Sequence, residues 1–408
     1  MTRNVEIWTG KALTEVPYEV YDDEQVYDQE RKQIFQGPTW NFLGLASEVP
    51  EAGDYKTAFL GDIPIVVVRG ADGVLRGFEN RCAHRGALLC LERFGNAKAF
   101  TCVYHAWSYD HDGNLIGVAF QNGVNGRGGM PDDFRREDHG LRRVKIGILA
   151  GLIFGSFVSD TQALEEYLGP EILERIHRVL PKSPKVLGYY TQTLRNNWKL
   201  YAENVRDPYH ASILHLFFTT FRVNRLSQKG AILVSENGGH HVSYSKLDPE
   251  GDDKDYNVEK LRADSQFGLK APELLGGIDE FNDGITLQIL TVFPNLVIQQ
   301  VRNSLVVRQI VPRGVDTTDV FWTNYGFQDD NEALSKMRQL QSNFVGPAGY
   351  ISMEDGAVGN FIQRALPGAS GEASIVKMGG SDAASVESRA TETSIRGFWK
   401  AYRQFMKI

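Results

Sequence analysis

Helical spacing marks both ends of the chain, and between them the hydrophobic pattern is mostly that of strands. Residues 22–35 are polar with an acidic start and helical spacing, and predict a first helix. From residue 40 to about 158 the pattern is short strands and turns. Runs 63–68 and 74–80 flank Asp72-Gly73, a dipeptide that tolerates the positive backbone angles of a tight hairpin. Asp112-Gly113 repeats the device between 107–109 and 115–118. Residues 163–180 return to helical character, interrupted at Gly169-Pro170. Several β-rich runs over 284–327 are separated by Pro294-Asn295, Arg302-Asn303 and residues 312–316, and predict an antiparallel meander. Residues 332–344, 350–366 and 391–407 read as helices, and the Gly/Ser/Asp-rich stretch 379–388 as a loop. Strands followed by helices, without βαβ alternation, predict an α+β fold. It divides into a small all-β unit over 38–160 and a larger sheet-plus-helices unit over 1–37 and 161–408.

Composition narrows the function. The 408 residues suit two or three structural units. With 44 basic and 51 acidic side chains, a formal charge of -7 and no block of Lys or Arg, a nucleic-acid surface is not expected. A local pair of arginines could still bind a small carboxylate. Three cysteines, Cys82, Cys90 and Cys102, make no disulfide framework and suit a reducing compartment. The opening MTRNVEIWTG lacks a signal-peptide core, and the apolar stretch 146–158 is shorter than the roughly 20 residues a bilayer requires. A cytoplasmic protein is expected.

The chemistry concentrates in two clusters. In RCAHRG and CVYH, Cys82, His84, Cys102 and His105 form a Cys-x-His…Cys-x2-His arrangement on two loops. Two thiolates and two imidazoles fit either a structural zinc or a Rieske [2Fe–2S] cluster. One ligand of each kind per loop favours the cluster, since one iron then takes both cysteines and the other both histidines. Zinc fingers more often pair like with like. Gly86 and Gly95 are expected to let backbone amides approach the cluster. Cys90, among Leu88, Leu89 and Leu91, reads as a buried free thiol.

The second cluster is ENVRDPYHASILH, residues 203–215. On one regular helix His210 and His215 would point about 140° apart, so they share a metal only if the helix is broken or reset between them. Asp207 is placed to hold the second ring nitrogen of His210 or to bridge to another group. Two histidines and a distant carboxylate make a facial triad, which leaves positions open on ferrous iron. The carboxylate expected is Asp355 in GPAGYISMEDGAVG, with Glu354 as the competitor. The pair His240-His241 reads as a sheet position.

Together, CAHRG…CVYHAWSY, NNWKLYAENVRDPYH…H, the GPAG…EDG block and the ending ATETSIRGFWKAYRQFM resemble the α (terminal oxygenase) subunits of Rieske non-haem iron aromatic-ring hydroxylating dioxygenases. The resemblance spans nearly the whole chain and is nearest the salicylate/anthranilate/terephthalate branch. It implies an all-β Rieske domain and a helix-grip-like catalytic domain in which an antiparallel sheet is flanked by helices. Cys82, His84, Cys102 and His105 would hold the cluster, and His210, His215 and Asp355 the mononuclear Fe(II). Asp207 would be the acidic bridge by which an electron arrives from a neighbouring subunit. Partners implied are a β subunit, in an α3β3 or α3 assembly, and a separate reductase drawing on NADH; no Gly-x-Gly-x-x-Gly fingerprint opens a helix here. The ENVRD spacing is one residue shorter than the ENxxxD of naphthalene-type members, so pocket details of that branch do not transfer.

Substrate residues follow from charge. Alternation along NSLVVRQIV puts Ser304, Val306, Arg308 and Ile310 on one strand face, where an arginine among aliphatics calls for a carboxylate from ligand or protein. The resemblance adds Arg389 in RATET, with Ser243 as a supporting hydroxyl. Two guanidinium groups at opposite ends of a flat ring would select a para-dicarboxylate, terephthalate. The implied reaction is its cis-dihydroxylation with O2 and NADH-derived electrons to a 1,2-dihydroxy-cyclohexadiene-1,4-dicarboxylate. Salicylate or anthranilate hydroxylation is the near alternative. A non-catalytic iron–sulfur or zinc-binding electron-transfer or binding protein is the alternative of another class.

Overall fold

The computed structural model describes Trp8 and residues 12–221, 223–246 and 269–408. The chain divides into two compact units, Gln36–Thr161 and the combination of Met1–Phe35 with Gln162–Ile408.

The smaller unit is all β. Seven strands make its main antiparallel sheet and three short ones a second. The Asp72-Gly73 turn joins Ile63–Arg69 to Leu75–Glu79, with Gly73 at φ +80. Asp112-Gly113 likewise turns Ser108–Tyr109 into Leu115–Gly117, with Gly113 at φ +78. The core gathers Val66, Phe78, Phe100, Tyr109 and Leu115 around the sulfurs of Cys82, Cys90 and Cys102. Burial pushes the Cys90 thiol up to about 12, so it stays a protonated packing group.

The larger unit is built on a seven-stranded antiparallel sheet. In spatial order its strands are Lys185–Leu194, Thr318–Gly326, Ser304–Pro312, Leu296–Val301, Ile285–Val292, His241–Lys246 and Gly230–Val234. The meander of 284–327 supplies its four central strands, each paired with the next in sequence. Ser304–Pro312 is buried at every position, and its sequence is apolar apart from Ser304, Arg308 and Gln309.

Nine α-helices are described: α1 Glu24–Glu30, α2 Leu164–Leu168, α3 Pro170–Val179, α4 Trp198–Asn204, α5 Pro208–Leu214, α6 Leu216–Thr220, α7 Glu332–Val345, α8 Ser352–Ala365 and α9 Thr393–Met406. Asp23 caps α1, which widens into a π-helical turn at Arg31–Phe35. The interruption at Gly169-Pro170 separates α2 from α3, with Gly169 at φ +76 and Pro170 opening the new helix. α4 packs on the Ser304–Pro312 strand and on α8.

A buried polar network ties α1, α4 and α9 together. Glu30 meets Lys199 Nζ at 2.6 Å and accepts from Trp198 Nε1 at 2.8 Å and Tyr402 Oη at 2.6 Å. Glu203 accepts from Tyr21 Oη at 2.9 Å and from Trp399 Nε1. With Glu30 paired to Lys199 and Glu203 held by two neutral donors, the network fixes one docking of the helices. It also holds α4, the helix that leads into the second metal-ligand cluster.

Candidate metal centres and active site

The two cysteine–histidine loops share one backbone design. Cys82 N–H donates to Ala87 O at 2.8 Å and Gly86 N–H to Cys82 O at 2.9 Å; Cys102 N–H donates to Trp107 O at 2.8 Å and Ala106 N–H to Cys102 O at 2.9 Å. The fifth residue of each loop is left-handed, Gly86 at φ +77 and Ala106 at φ +52. This turn buries both thiols and leaves His84 and His105 exposed, their ring centroids 4.6 Å apart. His84 stacks on Trp107 at 4.8 Å and 8°. Tyr109 Oη reaches both Cys82 Sγ at 3.4 Å and the amide of Ala83 at 3.1 Å. Burial and the Cys82 sulfur hold its phenol protonated, so it remains a donor to sulfur.

Among the described residues, His210, His215 and Asp355 are the set whose donor atoms close to within 4.8 Å of one another, the size of a single-ion site. Gly95 does not lie at the two cysteine–histidine loops: it pairs with Tyr55 in a strand, and a Cβ there would stand 2.6 Å from the Tyr55 ring. The expectation that Gly95 opens backbone amides toward a cluster is therefore corrected. Its missing side chain makes room for the tyrosine.

The break between the two histidines of the second cluster falls at His215. α5 ends there and α6 begins, with His215 extended at φ -81 and ψ 92. Asp207 caps α5, its Oδ1 accepting from Tyr209 N at 2.8 Å, and Pro208 occupies the first helical position. Both imidazoles turn Nε2 to the same oxygen, Asp355 Oδ1, at 3.3 Å from His210 and 3.2 Å from His215. Each Nδ1 faces another carboxylate: Asp207 Oδ2 at 3.1 Å from His210, and Glu354 Oε2 at 2.8 Å from His215. Glu354 thus stands on the far side of the ring from Asp355. Asn204 Nδ2 donates to Asp355 Oδ1 at 3.1 Å.

Histidine–carboxylate pairing dominates the electrostatics here. Burial alone would lower His210, but hydrogen bonds and charges from Asp207 and Asp355 outweigh it and push the ring up to about 10. Burial would likewise raise Asp355, yet hydrogen bonds from the two histidines hold it well below the usual carboxylate range. Two imidazoles and a carboxylate in that arrangement are the donor set of a non-haem iron. A cavity of about 780 Å³ adjoins His210, with Glu203, Asp207 and Glu392 beside apolar Leu200, Ile213 and Ile362.

Arg308 is buried on the face of its strand, 3% exposed. Its guanidinium lies 4.0 Å over the ring of Trp322, its cross-strand partner, and Nη1 donates to Tyr201 Oη at 2.9 Å. Nε is buried without an acceptor, and among the described residues no carboxylate pairs with Arg308. Tyr201 lies one helical turn before Asn204 on α4, so Arg308 and Asp355 are joined through that helix. Tyr201 was not singled out from sequence, because a helical tyrosine carries no signal until its strand partner is known.

Ser243 is buried on the same sheet face as Arg308, in the cross-strand row Ser243, Ile289, Gln299 and Val306. Arg389 is also buried, with Nη1 donating to Arg225 O at 2.8 Å and Nη2 to Asn224 Oδ1. It borders a different cavity, of about 540 Å³, with Ser227, Lys229 and Ser388; neither Arg308 nor Ser243 lines that one. His240 and His241 are sheet positions: His240 bonds Tyr167 O at 2.8 Å and burial pushes it down to about 4, while His241 bonds Thr291 Oγ1 at 2.7 Å. No described helix is long and apolar enough to cross a membrane.

Residues 39–126 match the Rieske [2Fe-2S] domain family, and residues 173–408 match the ring hydroxylating alpha subunit (catalytic domain) family. The chain is 54% identical over 407 residues to subunit alpha 2 of the terminal oxygenase component of terephthalate 1,2-dioxygenase from Comamonas sp., covering 100% of this chain and 98% of that protein. It is 43% identical to the anthranilate 1,2-dioxygenase large subunit of Burkholderia cepacia, covering 96% and 93%. The fold is similar to naphthalene 1,2-dioxygenase from Rhodococcus sp. bound to indole, with a TM-score of 0.80, 25% identity and coverage of 96% and 94%.

Proposed function

We infer, because the chain belongs to the ring-hydroxylating oxygenase α-subunit family, that it is the terminal oxygenase subunit that cis-dihydroxylates terephthalate. The overall reaction consumes O2, NADH and a proton, and yields NAD+ and a 1,2-dihydroxy-cyclohexadiene-1,4-dicarboxylate. Cys82, His84, Cys102 and His105 would hold the [2Fe–2S] cluster, and His210, His215 and Asp355 the mononuclear iron. When bound, the cluster supplies electrons singly and the ferrous ion supplies oxygen activation.

The observation that carries the substrate reading is Arg308: a buried guanidinium whose Nε has no acceptor, with an aromatic floor and, among the described residues, no carboxylate partner. Leaving such a group unmatched is costly, so a ligand carboxylate is its fitting partner. Trp322 beneath it and Tyr201 beside it hold the guanidinium in one plane, ready for a bidentate bond. Arg389 would take the second carboxylate, with the Ser243 hydroxyl in support. Asp207 would hold the Nδ1 proton of His210 and form the electron bridge to a neighbouring subunit. The working assembly would pair this chain with a β subunit, as α3β3, and with a separate reductase. That the 54% relative is a terephthalate enzyme favours terephthalate over the anthranilate and salicylate alternatives.

Product identification after incubating the oxygenase with reductase, NADH and each acid tests this reading. A dihydrodiol dicarboxylate from terephthalate alone is expected; turnover of anthranilate or salicylate only would replace the substrate. Arg308→Gln should raise KM for terephthalate about 10- to 100-fold, the value of one charge-assisted carboxylate contact. An unchanged KM would remove Arg308 from the pocket.

A further inference from the structure

We propose that Glu354 is a positioning residue for the iron centre, acting through His215. The proposal rests on the reading of His210, His215 and Asp355 as the ligands. Glu354 and Asp355 are consecutive in the first turn of α8, at the positive end of the helix dipole, where carboxylates are favoured. Neighbouring helical positions diverge by about 100°, so one helix turn presents two carboxylates in different directions. The ring of His215 sits between them, with Nε2 3.2 Å from Asp355 Oδ1 and Nδ1 2.8 Å from Glu354 Oε2.

One imidazole cannot turn both nitrogens to the same ion, so the carboxylate at Nδ1 stands outside the ligand set. An ionised carboxylate only accepts hydrogen bonds. With an ion held between Nε2 and Asp355, the hydrogen of His215 would reside on Nδ1, facing Glu354, and the Nε2 lone pair would serve the ion. Glu354 thereby sets both the tautomer and the ring plane of a histidine that lacks helical restraint, because His215 occupies the break between α5 and α6. Asp207 does the same for His210 from the other end of α5. The two arms differ in a useful way: Asp207 also caps a helix, whereas Glu354 is a third exposed and can be replaced with less effect on folding.

The test uses the purified full chain, with its β subunit if one co-purifies. Iron release into a ferrous chelator is followed for wild type, Glu354→Ala, Glu354→Gln, Glu354→Lys and His215→Ala, with the visible absorbance of the [2Fe–2S] cluster as an internal control. Glu354→Ala and Glu354→Lys, which offer no acceptor, should hold the mononuclear iron about 10- to 100-fold less tightly, with cluster absorbance unchanged. Glu354→Gln keeps an acceptor oxygen and should fall between these and wild type. Retention equal to wild type in all three, while His215→Ala loses its iron, overturns the positioning role and leaves the ligand reading intact. Retention in His215→Ala as well defeats the ligand reading, and this proposal with it.

Discussion

Single residues in the two cysteine–histidine loops are set by backbone conformation as much as by their ligand side chains. Gly86 and Ala106 occupy the same place in the same turn, both left-handed, yet only one is glycine. An L-residue with a Cβ costs roughly 1 kcal/mol in that region, so Ala106 stores strain that Gly86 avoids. Ala106→Gly should therefore stabilise the small unit by about 0.5–1 kcal/mol. Gly86→Ala should destabilise it by a similar amount, since no atom comes closer than 4.0 Å to the added Cβ and only the backbone angle is penalised. Thermal loss of cluster absorbance measures both; equal midpoints for wild type and Ala106→Gly would show that the loop relaxes the strain elsewhere. The loop ligand pattern was readable in sequence because both ends of each loop are chemically distinctive. Which of Glu354 and Asp355 faces the histidines was not, because adjacent helical residues exchange roles if the helix starts one position earlier.

At the level of elements, legibility followed periodicity. The central strands of 284–327 and helix α9 have strong patterns and buried faces, α7 and α8 are less buried, and the structure places all of them where the pattern does. Lys185–Leu194 escaped because it is an edge strand with Tyr189 and Tyr190 partly exposed on opposite faces, so no alternation marks it. The internal partners of α4 were equally hidden, since Glu30, Tyr21 and Trp399 lie 168 to 196 residues away from their α4 partners or on the far side of the chain. That network makes a pH prediction. Burial, reinforced by the charge of Asp207, raises Glu203 from 4.5 to about 7 against the opposing bonds from Tyr21 and Trp399 and the charge of Lys199. An acid whose folded value is raised stabilises the fold fully below its unfolded value, and that contribution is lost as pH climbs to the folded value. Wild type should accordingly lose stability between pH 4.5 and about 7 from this group. Glu203→Gln, whose amide oxygen can accept both bonds, should lack that slope. Its advantage over wild type should grow by up to about 3 kcal/mol from pH 5 to 8. Parallel urea-unfolding curves for the two proteins across that range would rule the linkage out.

The whole molecule has two compact units, each with its own set of metal-ligand side chains. Every strand of the small unit's sheets comes from within residues 36–161, and every strand of the seven-stranded sheet from the other unit. Cys82 and Cys102 are packed among the small unit's own core residues, while His210, His215 and Asp355 hang from α5, α6 and α8 of the larger one. Neither set of donors borrows a residue from the other, so each metal should be lost without the other. A fully loaded chain should contain about three irons, two in the cluster and one mononuclear. His215→Ala should bring this to about two with the cluster's absorbance and reduced-state paramagnetic signal intact, because the small unit's turns and thiols are untouched. Cys102→Ser should instead abolish that signal, since a hydroxyl is a poor substitute for the thiolate that iron–sulfur clusters require. Loss of the cluster signal in His215→Ala would mean that filling one centre depends on the other, and the two centres would not be independent.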